Sequence, residues 1–303
     1  MTQSLAADAL TRFVFEQAPV RGALVTLDAA ARAILECHPY PPALRRILAE
    51  LLAASTLLAS TLKFTGSLIV QLQGDGPVRL LVVECSDALE LRATAQWDQA
   101  ATTAFGPDAT LADLAGGAAR GRLVITLDPK GNGTIYQGIV ALETASIAGL
   151  IEHYLATSEQ LASRLVLTTA AGRVAGLLVQ RLPGVAATGE SRPDDTWTRA
   201  GERMTQTDPA LLLAPGTAEA LLSESFPHDD LRVFRPKAVT FRCSCSRERV
   251  ERALRIAGTA EIESIVAEHG NVVVTCEFCN RSYVFAPAEA RAVFAPRDSS
   301  THH

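Results

Sequence analysis

Four cysteines in the last quarter of the chain have the spacing of metal ligands: Cys243-Ser-Cys245 and, after thirty intervening residues, Cys276-Glu-Phe-Cys279. Two close thiol pairs separated by a short module are what a tetrahedral four-cysteine zinc site requires, because each pair supplies two ligands to one ion. The same spacing holds the two sulfurs of each pair near enough to oxidise to a local disulfide. The four atoms can therefore be a metal cage or two disulfides.

The energies of the two states differ widely. The segment that carries the thiols, residues 239–294, is short and poor in apolar side chains, so its own core sustains a fold only with difficulty. A structural zinc contributes roughly 10–16 kcal/mol of apparent binding energy that is also folding energy. Arg242, Arg247, Arg249 and Arg281 lie beside the thiols in sequence. They are expected to offset the negative cage and to lower the thiol pKa values. A disulfide that closes so short a loop returns only about 2 kcal/mol in the chain-entropy model. Loss of the metal outweighs that gain, and the oxidised module is expected to unfold. Apolar faces around Val250, Leu254, Ile262 and Ile265, and the neighbouring linker, would then be uncovered. Surface of that kind suits a protein to catching other unfolding chains.

The elements that must hold these thiols read as an α+β protein. A length of 303 residues with 48% hydrophobic content predicts two domains and a substantial core. The net charge of −5 argues against a phosphate-backbone partner. The opening residues, Met1-Thr-Gln-Ser-Leu-Ala-Ala-Asp, show no basic stretch leading into an apolar run, so no export signal is expected. Ile47 to Leu62 is strongly apolar but carries Glu50, Ser55, Thr56 and Ser60, which predicts a core helix rather than a membrane span. A cytoplasmic location, where thiols stay reduced, is the expectation.

Residues 1–183 are expected to form a large sheet-and-helix domain. Pro41 and Pro42 open a helix with Leu44, Ile47, Leu48, Leu51 and Leu52 at helical spacing. Strands are predicted at Ser67–Gln73 and Val78–Glu84 around the Gly74-Asp75-Gly76-Pro77 turn, then at Leu89–Ala95. Further strands at 122–127 and 135–140 flank a Lys130-Gly131-Asn132-Gly133 turn, and a helix is predicted over Ile147–Ala162. Strands at Val166–Thr169 and Val174–Gln180 are expected to close the same sheet. Residues 184–238 read as a partly helical, metastable linker with sparse apolar anchors and amphipathic stretches at Thr196–Thr205 and Thr217–Phe226. Residues 239–294 read as the small zinc-binding module, and 295–303 as a tail. Within the module, helices over Ser246–Ala257 and Ala260–Glu268 precede a hairpin, Val272–Cys276 with Ser282–Phe285, whose turn is the second cysteine pair. That puts Cys276 and Cys279 on a β-hairpin knuckle.

Other chemical candidates are weaker. Cys37-His38 precedes Pro39 and reads as the start of a loop, while Cys85 ends a predicted strand and reads as a packed apolar side chain. His269 is the one histidine inside the module, and four thiols already complete a site without it. His302 and His303 fall in the polar tail. Gly74-x-Gly76 is a hairpin turn without the third glycine and helix of a dinucleotide site, and there is no Walker sequence. Residues after Cys279 read as strand, unlike the helix that follows a thioredoxin-type motif. A zinc-ribbon nucleic-acid binder, using Arg242, Arg247, Arg249, Arg252 and Arg255, and a thiol–disulfide oxidoreductase are the alternatives from other functional classes.

Several segments carry a resemblance. They are Gly74-Asp75-Gly76-Pro77-Val-Arg-Leu-Leu-Val-Val-Glu, Tyr136-Gln-Gly-Ile-Val, Tyr154-Leu-Ala-Thr-Ser158-Glu159-Gln160-Leu and Phe226-Pro-His-Asp-Asp-Leu-Arg-Val-Phe234. Val239-Thr-Phe-Arg-Cys243-Ser-Cys245-Ser-Arg-Glu-Arg and Cys276-Glu-Phe-Cys279-Asn-Arg-Ser-Tyr-Val-Phe complete the set. In this order the chain resembles the redox-regulated 33-kDa heat-shock chaperonin family over nearly its whole length, with a poor match at 184–217 and in the tail. The resemblance implies a non-enzymatic, ATP-independent holdase of the cytoplasm. Reduced, it is silent and holds one Zn²⁺ per chain on Cys243, Cys245, Cys276 and Cys279. Under oxidative stress it forms disulfides Cys243 with Cys245 and Cys276 with Cys279, releases zinc and unfolds its linker and C-terminal module. The implied partners are unfolding client proteins and a second copy in an oxidised homodimer formed through the larger domain, with no nucleic acid and no membrane.

Overall fold

The computed structural model describes residues 8–103, 105–117, 120–131, 133–144, 146–183 and 193–294. The expectations for 184–192, for Asn132 and for the tail with His302 and His303 lie outside the described residues. Among the described residues no helix is long and apolar enough to cross a membrane. The chain divides into two compact units between Arg242 and Cys243.

In the first unit, β1 (Ala9–Phe15) and β2 (Val20–Leu27) lead into α1 (Ala29–Leu35) and α2 (Pro42–Thr61). Next come β3 (Gly66–Gln73), β4 (Val78–Ser86) and β5 (Glu90–Trp97), and the short helices α3 (Gln99–Thr103) and α4 (Leu111–Ala115). They are followed by β6 (Arg122–Pro129), β7 (Tyr136–Ala141), α5 (Ile147–Thr157), β8 (Ser163–Ala170) and β9 (Arg173–Arg181). Two sheets result, not one. β12 (Thr240–Phe241), β5, β4, β3, β6 and β7 lie side by side in one of them. The other runs β10 (Leu231–Val233), β1, β2, β9, β8, with β11 (Lys237–Ala238) also on β1.

The strands expected to close the first sheet therefore build a second one on β2, which meets β9 from Val20↔Arg181 to Leu27↔Val174. The sequence reading did not foresee β1 and β2 for a physical reason. Both faces of this sheet are covered, so β1 and β2 are buried over most of their length and lack a two-residue alternation. Leu10, Val174 and Leu178 face the main core, while Phe13, Leu177 and Val179 face a second one. Gly22 makes this packing possible, since an added Cβ would lie 2.1 Å from the Phe13 ring.

α2 is the central element of the main core. Pro42 occupies its first turn, where a missing N–H costs nothing, and Leu44, Ile47, Leu48, Leu51 and Leu52 are all buried. It packs against strands of both sheets, and buried Thr56 is satisfied within the helix, donating its hydroxyl to the Leu52 carbonyl at 2.8 Å. α5 ends at Thr157, short of the predicted Ala162, where Gln160 takes a left-handed φ of 56° and Ser163 opens β8.

Residues 193–226 are folded as α6 (Pro193–Gln206), a 3-10 turn at Pro209–Leu213 and α7 (Ala218–Ser225). Their apolar anchors are spread over three short elements, which is why they look sparse in sequence. Together Ala200, Met204, Leu212, Leu221, Leu222 and Phe226 form the second core on Phe13, Phe15, Leu24, Leu177 and Val179. β10 and β11 then pair with β1, and β12 with β5. The sequence reading ends the linker at Ala238, whereas backbone pairing carries the chain on the first unit as far as Phe241.

The second unit contains α8 (Arg247–Ala257), α9 (Thr259–His269), β13 (Val272–Thr275), β14 (Ser282–Phe285) and α10 (Pro287–Ala292). Its core is small: Val250, Leu254, Ile262, Val272, Phe285, Ala290 and Val293 are buried together. The predicted helices and hairpin are present, and α10 is an addition that closes the core from the far end of the hairpin.

Candidate metal centre

Two local structures bring the four thiols together. Cys276 and Cys279 occupy the β13–β14 turn, where Cys276 N–H donates to the Arg281 carbonyl at 2.9 Å and Asn280 N–H to the Cys276 carbonyl at 2.9 Å. Asn280 adopts a φ of 56°, a left-handed conformation that Asn tolerates better than most residues, and this curls the knuckle. Cys243 and Cys245 lie in the extended stretch before α8. Ser246 ends that stretch by capping α8, its hydroxyl accepting from Arg249 N–H at 3.3 Å.

All four sulfurs lie within 4.8 Å of one another, with Cys243 Sγ 3.7 Å from Cys276 Sγ and Cys245 Sγ 3.4 Å from Cys279 Sγ. Metal–sulfur bonds of about 2.3 Å in a tetrahedron put the sulfurs about 3.8 Å apart. The donor set therefore fits a metal ion with a preference for soft ligands, held by one sulfur from each of the four cysteines. His269 does not belong to this group; its Nε2 sits 3.6 Å from Glu268 on the exposed end of α9.

The surroundings favour negative sulfur unevenly. Burial pushes the Cys245 thiol up, but hydrogen bonds from the Tyr283 hydroxyl, at 3.1 Å, and from the other three thiols outweigh it and bring it to about 7. Burial raises Cys243 and Cys279. Tyr283 was not singled out in the sequence. The signal available was its place two residues before Phe285 on β14, which puts it on the inward face.

The arginines expected to offset the cage divide differently. Arg242 pairs with Glu90 at 2.6 Å on the first unit. Arg247 pairs with Glu289 at 2.9 Å and stacks over Phe285 at 4.1 Å. Arg249 donates to Ser244 Oγ at 2.6 Å. Arg281 is the one whose charge is favoured by the Tyr283 hydroxyl and then by the Cys245 and Cys279 sulfurs. The remaining two cysteines are apart from this chemistry. Cys85 is fully buried on β4, its thiol pushed up to about 12 by burial and then by Glu84. Cys37 donates to the Ala33 carbonyl at 3.1 Å just past α1.

Comparison with known proteins finds matches over most of the chain. A family model described as Hsp33 protein matches residues 8–286. A 33 kDa chaperonin of Chromobacterium violaceum is 40% identical over 294 residues, covering 95% of this chain and 94% of that protein. The 33 kDa chaperonin of Nitrosococcus oceani is 40% identical over 301 residues, covering 97% and 99%. In fold, the chain is similar to the crystal structure of the 33 kDa chaperonin from Thermotoga maritima, with a TM-score of 0.76 at 19% identity over 94% of this chain and 97% of that one.

Proposed function

We propose, for a chain that belongs to the Hsp33 chaperone family, the function of an oxidation-activated holdase. In the reduced state Cys243, Cys245, Cys276 and Cys279 hold one Zn²⁺. When bound, the ion supplies folding energy of roughly 10–16 kcal/mol to a unit whose own core is small. Oxidation joins Cys243 to Cys245 and Cys276 to Cys279. Each pair of thiolates gives up two electrons to a peroxide, which takes two protons from solvent and leaves as two waters. The sulfurs then no longer serve as thiolate ligands, zinc is released, and two short-loop disulfides return only about 2 kcal/mol each. The second unit unfolds, and the segment 193–241 loses its anchor at one end.

The client surface follows from the second core. Lifting α6 and α7 uncovers Phe13, Phe15, Leu24, Leu177 and Val179 on the sheet, together with the apolar sides of the helices themselves. An unfolding chain that exposes its own core finds there an apolar sheet of similar chemistry. The reading assigns the protein no turnover, no ATP and no nucleic-acid partner, a cytoplasmic site of action, and a homodimer of the first unit in the oxidised state. The observation that carries it is the convergence of four sulfurs within 4.8 Å in the unit with the smallest core. Light scattering of a thermally unfolding client tests it, with reduced zinc-loaded protein in one sample and peroxide-treated protein in the other. Suppression by the oxidised form alone is expected. Equal activity in both, or none in either, would overturn the reading.

A further inference from the structure

Where the C-terminal end of α2 meets β1, β2 and β9, the first unit encloses a cavity of about 320 Å³. Its polar lining is Arg12, Arg21, Ser60, Thr61 and Gln180, no carboxylate faces it, and Phe234 forms one apolar wall. The two arginines share a sheet face, since Arg12 lies opposite Ala23 and Arg21 opposite Val14. Half-buried Arg21 is fixed by neutral acceptors: its Nε donates to Gln180 Oε1 at 3.1 Å and its Nη2 to the Thr61 carbonyl at 3.4 Å. Three of its five N–H groups are left for another acceptor. Arg12 lies over the Phe234 ring at 5.9 Å.

Among the described residues neither guanidinium forms an ion pair. Burial first, and then the Arg12 charge, disfavours the charge on Arg21. Two like charges held at a cavity without a counter-ion are costly unless an anion joins them. The overall charge of −5 makes this a local arrangement rather than a property of a basic protein. The cavity falls at the small end of the range of small-molecule sites, roughly 300–1,000 Å³.

We propose that this cavity binds a small organic anion, a carboxylate or phosphate head on an apolar body, with the head between Arg12 and Arg21 and the body along Phe234. The inference concerns the folded, reduced chain and is independent of the redox reading. Occupancy also has a structural consequence. Phe234 directly follows β10, and its N–H donates to the Arg12 carbonyl at 2.9 Å, so a ligand packed on its ring holds β10 against β1.

Calorimetric titration of the full-length, reduced, zinc-loaded chain tests this, with octyl phosphate, octanoate, inorganic phosphate and octanol as probes. One amphiphilic anion per chain is expected to bind, with inorganic phosphate and octanol at least about tenfold weaker. R12Q and R21Q should each weaken binding by roughly tenfold, the loss of a charge-assisted contact. Amide exchange at Phe234 should slow in the presence of the bound probe. Binding by octyl phosphate alone identifies a phosphate site, and binding by octanoate alone a carboxylate site. R12Q changes an exposed side chain and keeps the test decisive if R21Q loosens the end of α2. No saturable binding by either amphiphile, binding by inorganic phosphate alone, or amphiphile binding unchanged in R12Q would overturn the proposal.

Discussion

Phe226, which caps the C-terminal end of α7, packs edge-on against Phe15 of β1, their ring centroids 5.3 Å apart and their planes at 72°. The contact joins the segment read from sequence as a linker to the sheet beneath it, and Phe13 completes the cluster at 6.0 Å from Phe226. An aromatic side chain so fully buried is among the costliest to remove.

Phe226→Ala should therefore detach α7 and make the protein active without oxidant. The truncation costs about 3–5 kcal/mol, a large share of the stability of a segment held by three short elements. The expected outcome is suppression of client aggregation by reduced, zinc-loaded protein, measured by light scattering. A variant as silent as the parent, with faster amide exchange in α7, would rule out this face as the client surface.

Tyr283→Phe removes the hydroxyl that donates to Cys245 Sγ. Loss of an outer hydrogen bond to a ligand typically weakens metal affinity about 10- to 100-fold. Competition with a chelator should reveal that loss in the reduced protein, while circular dichroism of the loaded form stays unchanged. Unaltered affinity would make Tyr283 a packing residue only.

Disulfide mapping of peroxide-treated protein should recover Cys243–Cys245 and Cys276–Cys279. In the folded reduced chain two close sulfur contacts run across the pairs, Cys243 to Cys276 at 3.7 Å and Cys245 to Cys279 at 3.4 Å. The local pairing is expected because one residue separates Cys243 from Cys245 and two separate Cys276 from Cys279, so each bond closes only a short loop. Recovery of the crossed pairs would mean that the oxidised unit stays stapled together and does not unfold.

Glu50 on α2 gives a pH test of the main core. Burial raises its carboxyl pKa against the opposing pull of Arg46, whose Nη1 donates to it at 3.1 Å. The folded chain thus holds this proton more tightly than the unfolded one. Its contribution favours folding below the ordinary glutamate pKa and is lost as pH rises from there through the raised value. Glu50→Gln does not titrate, so thermal melts should show the variant gaining on the parent as pH rises from the ordinary glutamate value, about 4.3, through the raised one. A constant difference across that range would mean that Arg46 fully compensates the burial.

Legibility in the sequence followed the range of the interactions. The knuckle was readable because Cys276, Cys279 and their hairpin lie within fourteen consecutive residues, 272–285, and their geometry is set by local hydrogen bonds. The same holds for α2, whose apolar spacing and opening proline are local signals, and for the capping of α8 by Ser246.

By itself, then, the sequence determined the thiol pairs, the hairpin that presents one of them, the central helix and the strands with one open face. Tertiary structure alone decided what depends on distant partners. It buried β1 and β2 over most of their length, so that no alternation marked them, and it gathered the scattered anchors of 193–226 into a second core. It gave Tyr283 and Arg281 to the sulfurs while Arg242 and Arg247 went to carboxylates elsewhere. It also set Arg12 and Arg21 beside Gln180 and Phe234. Such contacts close loops of many tens of residues, and their entropy cost is met by the packed core as a whole rather than by any local pattern.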